Sequence, residues 1–281
     1  MKTDSFQKIV FIGAGNVATS LSEALKGKNN IIQVYSKTIG NARKLGEKIG
    51  CSPDDSVGTG FTNDLKKIST DADLYIIAVK DDALEDVCKK LKLPGKIVIH
   101  TSGSTEMNVL KTISNNHGVI WPMYSFTTGN RLKPFPNDVP FFTEASDKKT
   151  EKCITELVKE LKGNPYYINS EKRAKIHMTA VFVNNFPNHL FTIAEALCKD
   201  AGVPFSLFLP LAKETVDNIS KQSPALSQTG PANRNEKRIL KKHLALLKSH
   251  PMYKEVYEVL TKSIISQRDA SAKSNSGRKK F

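Results

Sequence analysis

Cysteine is scarce in this 281-residue chain: four, at positions 51, 88, 153 and 198, lie tens of residues apart. None belongs to a Cys-x-x-Cys pair or a Cys/His group of metal-ligand spacing, which excludes a disulfide scaffold and a zinc module and leaves free thiols with no metal site. Long apolar runs are missing too. No window approaches the roughly 18 apolar residues a membrane helix needs, and residues 1–8 are polar with no signal-peptide core behind them. The expectation is a soluble, cytoplasmic protein with no membrane partner. One further absence bears on ligand choice: no Asp or Glu stands between Glu23 and Glu47.

What the chain has in excess is positive charge, 42 Lys and Arg against 28 Asp and Glu. The excess is a C-terminal feature, since residues 234–281 hold 13 basic and 4 acidic side chains. Such a segment invites nucleic acid, yet Tyr253 and Tyr257 are the only aromatic residues placed among its charges before Phe281, too few for interleaved base stacking. A solvated basic face is the reading, and nucleic acid is not an expected partner.

From residue 8 onward, β-branched apolar runs at 8–12, 31–35, 74–79, 96–100, 118–122 and 139–143 alternate with amphipathic stretches at 16–25, 41–49, 82–91, 105–114 and 148–162. A last short run covers 166–168. Several runs are apolar throughout, as strands covered on both faces must be. After Asn169 the strand signals stop and helical patterns take over at 171–199, 205–220, 236–248 and 252–267. The expected fold is an α/β doubly wound parallel sheet in residues 1–169, an all-helical domain in 170–269, and a disordered basic tail in 270–281.

The strongest motif lies at the end of the first strand. Gly13-Ala14-Gly15-Asn16-Val17-Ala18 runs straight into a helix, which is the G-x-G-x-x-G/A dinucleotide fingerprint in its strand–turn–helix context. Gly13 permits the tight turn, Gly15 lets a pyrophosphate approach the backbone, and Ala18 keeps the helix close to the sheet. An NAD-binding domain places an acid after its second strand for the ribose 2′-hydroxyl. Here Ser36, Lys37 and Thr38 stand at that position, with Arg43 one turn into the next helix. Two hydroxyls and two cations suit a 2′-phosphate, so the expected cofactor is NADP(H).

Ligands of open α/β sheets sit outside the carboxyl ends of the strands. Val79 and Lys80 follow the third run and are expected against the cofactor. Thr101, Ser102, Gly103 and Ser104 follow the fourth; they either line the cofactor and substrate or form a helix-capping turn with Ser104 as the cap. His100 reads as structural, Trp121 as packing, and Tyr124 as a substrate contact.

On a straight helix at about 100° per residue, Asn184 and Asn188 fall within about 20° of His177, while Phe182, Phe186, Leu190, Ile193 and Leu197 gather on the opposite side. The polar stripe lacks the Lys and Glu of an ordinary solvated face. It is either a catalytic pair, His177 exchanging the proton and Asn184 orienting the reacting group, with Asn188 at the substrate, or a structural polar cluster. Pro187 removes a backbone N–H in mid-helix, and a kink is expected there. Farther on, the segment 228–236 carries Thr229 and Arg234 as substrate contacts, or as mere turn residues.

Taken together, GAGNVA, the Ser-Lys-Thr after the second run, HTSGS, the PMYSF strand end, the His177…Asn184-Asn185-Phe186 helix and TGPANRNE resemble the bacterial Rossmann-like proteins whose helical half is called domain of unknown function 2520. These are relatives of pyrroline-5-carboxylate reductases and β-hydroxyacid dehydrogenases. The resemblance covers residues 6–265 and implies a Rossmann domain followed by a helical domain of the 6-phosphogluconate-dehydrogenase C-terminal kind, which often builds a dimer. This chain departs at Trp121, where a His is common, and at Asn235-Glu236, where Gly-Asp is common. The combined expectation is an NADPH-dependent oxidoreductase that reduces a C=O or C=N bond in a small anionic metabolite held between its domains, Arg234 or Lys80 holding the anion. The alternative is a non-catalytic NADP-binding regulator that uses its basic C-terminal segment for interaction.

Overall fold

The computed structural model describes residues 8–27, 29–51, 60–127 and 135–278. Their strands are β1 (Ile9–Ile12), β2 (Ile31–Tyr35), β3 (Gly60–Thr62), β4 (Leu74–Ile77), β5 (Ile97–His100), β6 (His117–Pro122), β7 (Pro140–Ala145) and β8 (Asn164–Tyr167). They form one sheet of order β3-β2-β1-β4-β5-β6-β7-β8. Every residue of β1, β2, β4 and β5 is buried. That follows from their largely apolar sequence, which requires cover on both faces; the two polar members, Gln33 and His100, are buried with the rest.

The cover comes from α1 (Asn16–Leu25), α2 (Ile39–Ile49), α3 (Asp81–Lys90) and α4 (Lys148–Glu160). Leu21, Leu45, Ile154 and Leu157 share one apolar cluster with the sheet, and Leu84, Val87 and Leu110 share the other. Helices on both faces make the unit doubly wound. All four cysteines are free and buried, and burial pushes the Cys88 thiol up to about 11 and that of Cys153 up to about 12.

Three features differ from the expectation. The sheet is not wholly parallel, because β6 and β7 pair antiparallel. The described part of their connection holds no helix, and strands joined without a crossover run antiparallel, whereas β7 and β8 flank α4 and are parallel. Strand β3 is three residues long and carries no periodic signal. The helix expected over 105–114 is only a 3-10 turn, Met107–Thr112. The Met107 N–H donates to Ser170 Oγ at 3.0 Å and the Thr105 carbonyl accepts from Arg173, so backbone groups at the start of this segment bind a different element.

The chain divides into two compact units, Met1–Asn185 and Phe186–Phe281. Helix α5 (Ser170–Ala180) and a wide π-turn, Val181–Asn185, close the first unit, and α6 (Phe186–Asp200) opens the second. Pro187 has no N–H to offer the Val183 carbonyl, and the backbone widens at that point, a usual consequence of a lost rung. The second unit continues with α7 (Leu209–Lys221), α8 (Pro224–Ser227), α9 (Lys237–Leu246) and α10 (Pro251–Arg278). Helix α10 runs through most of the segment expected to lack order; residues 279–281 of that segment lie outside the described residues.

Candidate functional site

The turn after β1 is built by two glycines with different tasks. Gly13 has φ +127°, and a Cβ there would stand 2.1 Å from the Ala78 carbonyl oxygen, so only glycine lets β1 lie against the residue after β4. Around Gly15 nothing lies within 4 Å of such a Cβ. That open side is where the chain offers the uncapped start of α1, which has no acidic residue in its first turn. Ala18 is fully buried at the helix–sheet contact, Val17 packs on the same core, and Asn16 Nδ2 donates to the Phe126 carbonyl at 2.7 Å.

A cavity of about 1080 Å³ opens at this turn. Of the expected cofactor residues it is lined by Gly13, Ala14, Gly15, Ser36, Lys37, Thr38, Val79 and Lys80. Asn16, Val17, Ala18, Thr101 and Ser102 are not among its lining residues, and neither is Arg43, whose guanidinium sits 5.4 Å from the centre of the Phe61 ring. The Arg43 side chain is taken up by cation–π packing. Lys44, Lys48 and Lys90 line the cavity in its place. Lys44 and Lys48 follow Asn41 at helical spacing along α2, a periodicity that the sequence carries. Among the described residues of the lining, the only carboxylate is Asp86. The group these walls fit is a flexible anion with several phosphates.

A second constellation lies at the carboxyl end of β5. Ser170, Arg173 and His177 share one face of α5, at spacings of three and four. Arg173 is fully buried and ion-paired with Glu144 of β7, and the same guanidinium donates to the Thr105 carbonyl and to Ser170 Oγ. Ser170 in turn donates to Glu144 at 2.7 Å. One turn farther along, the His177 ring meets Trp121 edge-on, centroids 5.4 Å apart. A Cβ on Gly103 would stand 2.6 Å from His177 Cδ2 and 2.7 Å from Trp121 Cε2. The missing side chain at 103 therefore lets the turn after β5 lie flat on both rings. His177 is half-buried, and its ring nitrogens have no hydrogen-bond partner among the described residues.

That turn is organised by Ser102 rather than Ser104. Ser102 Oγ accepts from the N–H of Ser104 and of Thr105 and donates to Thr105 Oγ1, while the Ser102 N–H donates to His100 Nδ1 at 3.1 Å. Ser104 is therefore not the cap; its hydroxyl reaches Asp81 Oδ2 at 2.5 Å, tying the turn to the start of α3. His100 is fully buried, and burial together with the Arg173 charge pushes its imidazole down to about 3. It is neutral at any physiological pH, in keeping with a structural role.

Two of the remaining expected residues, Tyr124 and Asn184, belong to the first unit. Tyr124 packs edge-on against Phe126, 5.2 Å away, in a chain of rings that leads to Phe135 and Phe141. Asn184 lies in the π-turn and is exposed. Because the turn widens between His177 and Asn184, the straight-helix count does not carry through it. In the second unit Asn188 is exposed on α6, and Thr229 follows Gln228, whose side chain donates to the Thr229 carbonyl. Arg234 is not a free, forward-pointing cation, because Glu236 two residues on takes its guanidinium at 2.8 and 3.2 Å.

Comparison with known proteins agrees with both halves. Residues 8–103 match the family described as NADP oxidoreductase coenzyme F420-dependent, and residues 139–264 match the domain of unknown function DUF2520. A comparison with curated protein sequences gives no match. Among solved structures, a Bacteroides fragilis protein assigned as an NADP oxidoreductase is 34% identical over 94% of this chain and 100% of its own, with a TM-score of 0.84. An Aspergillus terreus reductive aminase solved with NADPH and ethyl-5-oxohexanoate has 15% identity and a TM-score of 0.67 over 94% of this chain and 99% of that one. The 1-pyrroline-5-carboxylate reductase of Streptococcus pyogenes has 15% identity and a TM-score of 0.56 over 92% and 98%; these two show the shared fold. With its fingerprint turn, its DUF2520 half and a relative one-third identical along nearly its whole length, the chain belongs to the NADP-dependent oxidoreductases with a C-terminal DUF2520 domain.

Proposed function

We propose that this enzyme reduces a C=O or C=N bond of a small metabolite with NADPH. The observation that carries the reading is the cavity at Gly13–Gly15 with Ser36, Lys37 and Thr38 in its wall and no carboxylate at the end of β2. In this reading the start of α1 and the Gly15 backbone hold the pyrophosphate, Lys37 with Ser36 and Thr38 holds the 2′-phosphate, and Lys44 adds a second cation. Val79 and Lys80 border the path toward the turn after β5. The reduced nicotinamide supplies the hydride when bound.

His177 is the proton donor in this proposal. Histidine exchanges protons near neutral pH, and its ring nitrogens are not committed to another group of the described chain. Gly103 and Trp121 hold its ring edge, and the Arg173–Glu144 pair anchors the helix turn before it. Arg234, paired with Glu236, and Lys80, in the cofactor wall, are not retained as contacts for a substrate anion. In this proposal residues 1–169 hold the cofactor, and residues 170–269, which include His177, supply substrate contacts and self-association. Exposed apolar side chains on the helical unit, among them Leu207, Leu211, Val216, Leu226, Leu246 and Met252, support a homodimer. A cytoplasmic location completes the proposal, in keeping with free thiols and no described helix able to cross a membrane.

The test is NADPH oxidation with a panel of carbonyl compounds and imines. Once a substrate is found, His177→Ala is expected to lower kcat by about 100-fold or more with little change in NADPH affinity. Undiminished turnover removes the role given to His177.

A further inference from the structure

The turn that lies flat on His177 is held at two points. Main-chain pairing of β4 with β5 ends where the Thr101 N–H donates to the Ile77 carbonyl at 3.1 Å, just past the Ile77–His100 pair. Beyond that point the two chains leave the sheet by different turns. Residues 78–81 follow β4 and border the cofactor site: the Ala78 carbonyl takes the space that a Gly13 side chain would need, and Val79 and Lys80 line the cavity. Residues 101–105 follow β5, and their Gly103 lies against His177.

Two side-chain contacts place the second turn between these neighbours. The Thr105 carbonyl accepts from Arg173, four residues before His177 on α5, which fixes that end to the helix carrying the imidazole. The Ser104 hydroxyl donates to Asp81 Oδ2 at 2.5 Å, and Asp81 is the residue after Lys80, which fixes the other contact to the cofactor wall. Gly103 is the immediate neighbour of Ser104. Ser104 and Asp81 are both exposed, where water competes for their hydrogen bond, so the bond adds little to stability. What it does determine is where the turn lies, and transfer of a hydride or proton is sensitive to displacements of about 1 Å.

We propose that Ser104 and Asp81 are positioning residues of the reductase. Their hydrogen bond sets the place of the turn, and through Gly103 that of the His177 ring, relative to the cofactor wall at Val79 and Lys80. The proposal rests on the reading of His177 as the proton donor. It gives Ser104 a task other than substrate contact, and Asp81 a task beyond its favourable charge in the first turn of α3. Each acts through the turn and not on the reacting atoms.

The experiment compares Ser104→Ala, Asp81→Ala, their double variant and the conservative Ser104→Thr and Asp81→Asn in the full chain. One readout needs neither cofactor nor turnover: the proton NMR signal of the His177 ring, which the facing Trp121 ring shifts and which is assigned by its loss in His177→Ala. That signal is expected to move in both alanine variants, to move no further in the double variant, and to return in Ser104→Thr and Asp81→Asn, which keep a donor and an acceptor. With a substrate from the carbonyl and imine panel, each alanine variant is expected to lower kcat about tenfold, the double variant by no more, and thermal unfolding and NADPH affinity are expected to stay as in the parent. A His177 signal that stays in place in Ser104→Ala, kcat losses that multiply in the double variant, or a fall in unfolding temperature and NADPH affinity along with kcat overturns the proposal. If the signal moves as expected but no carbonyl or imine consumes NADPH, the tether stands and the reductase reading falls. If NADPH is consumed and His177→Ala lowers kcat while Ser104→Ala changes neither signal nor kcat, the reductase reading stands and the tether falls.

Discussion

Gly103 lies so close to His177 that a single added methyl group would come 2.6 Å from its ring carbon Cδ2. The same methyl would press on Trp121, at 2.7 Å, so neither ring can give way without moving the other. Gly103 is not at a positive φ, which leaves crowding as the whole cost of a side chain. Gly103→Ala is expected to destabilise the first unit by about 1–3 kcal/mol, the range for overpacking a filled site, and to lower kcat more than it changes NADPH affinity. Thermal unfolding and steady-state kinetics read the two effects separately.

The Arg173–Glu144 pair makes a second prediction. Arg173 is fully buried, and Glu144 keeps only 17% of its side chain exposed. Removing one member of such a pair strands the other, at a cost of about 3–5 kcal/mol. Arg173→Met is expected to show that loss in urea unfolding. The Arg173→Met, Glu144→Gln double variant is expected to recover part of it, because the stranded charge is gone.

His100 sets a pH dependence whose sign can be worked out. In the unfolded chain its imidazole titrates near the ordinary value of about 6.5, whereas in the fold it stays neutral down to about 3. Between these two values the unfolded state binds a proton that the folded state refuses. Stability is therefore lost as pH falls through that window, with a slope from this group of up to about 1.4 kcal/mol per pH unit. His100→Asn keeps an acceptor for the Ser102 N–H and does not titrate, so its urea midpoint is expected to fall less steeply between pH 6.5 and 4 than that of the parent.

Much of this architecture can be read from local sequence. The strand–turn–helix at Gly13–Ala18 is a contiguous pattern, and the apolar runs of β1, β2, β4 and β5 need no partner to be recognised. β3 has three residues and no period. The amphipathic pattern over 105–114 reads as a helix, whereas the structure has a 3-10 turn at Met107–Thr112, the Met107 N–H and the Thr105 carbonyl being bound to Ser170 and Arg173, more than sixty residues away. Arg43 and Arg234 look like free cations in sequence; Phe61 and Glu236 occupy them in the fold. The ring contacts of Phe142 with Trp121 and with Tyr166 depend on the register of three strands joined by segments of unequal length, which no local period encodes. The π-turn ahead of Pro187 shows the limit of angular counting. The proline marks the lost backbone hydrogen bond, but the widened turn also changes which residues follow His177 around the helix.

The central claim is that the cavity beside Gly13–Gly15 is built for a dinucleotide carrying a 2′-phosphate. Calorimetric titration of the full chain with NADPH and with NADH tests it most directly, together with Lys37→Ala and Ser36→Asp. The account predicts that NADPH binds at least tenfold more tightly than NADH, that Lys37→Ala removes most of that preference, and that Ser36→Asp reverses it by repelling the phosphate. Equal affinities for the two dinucleotides, or a preference for NADPH untouched by both substitutions, would contradict it.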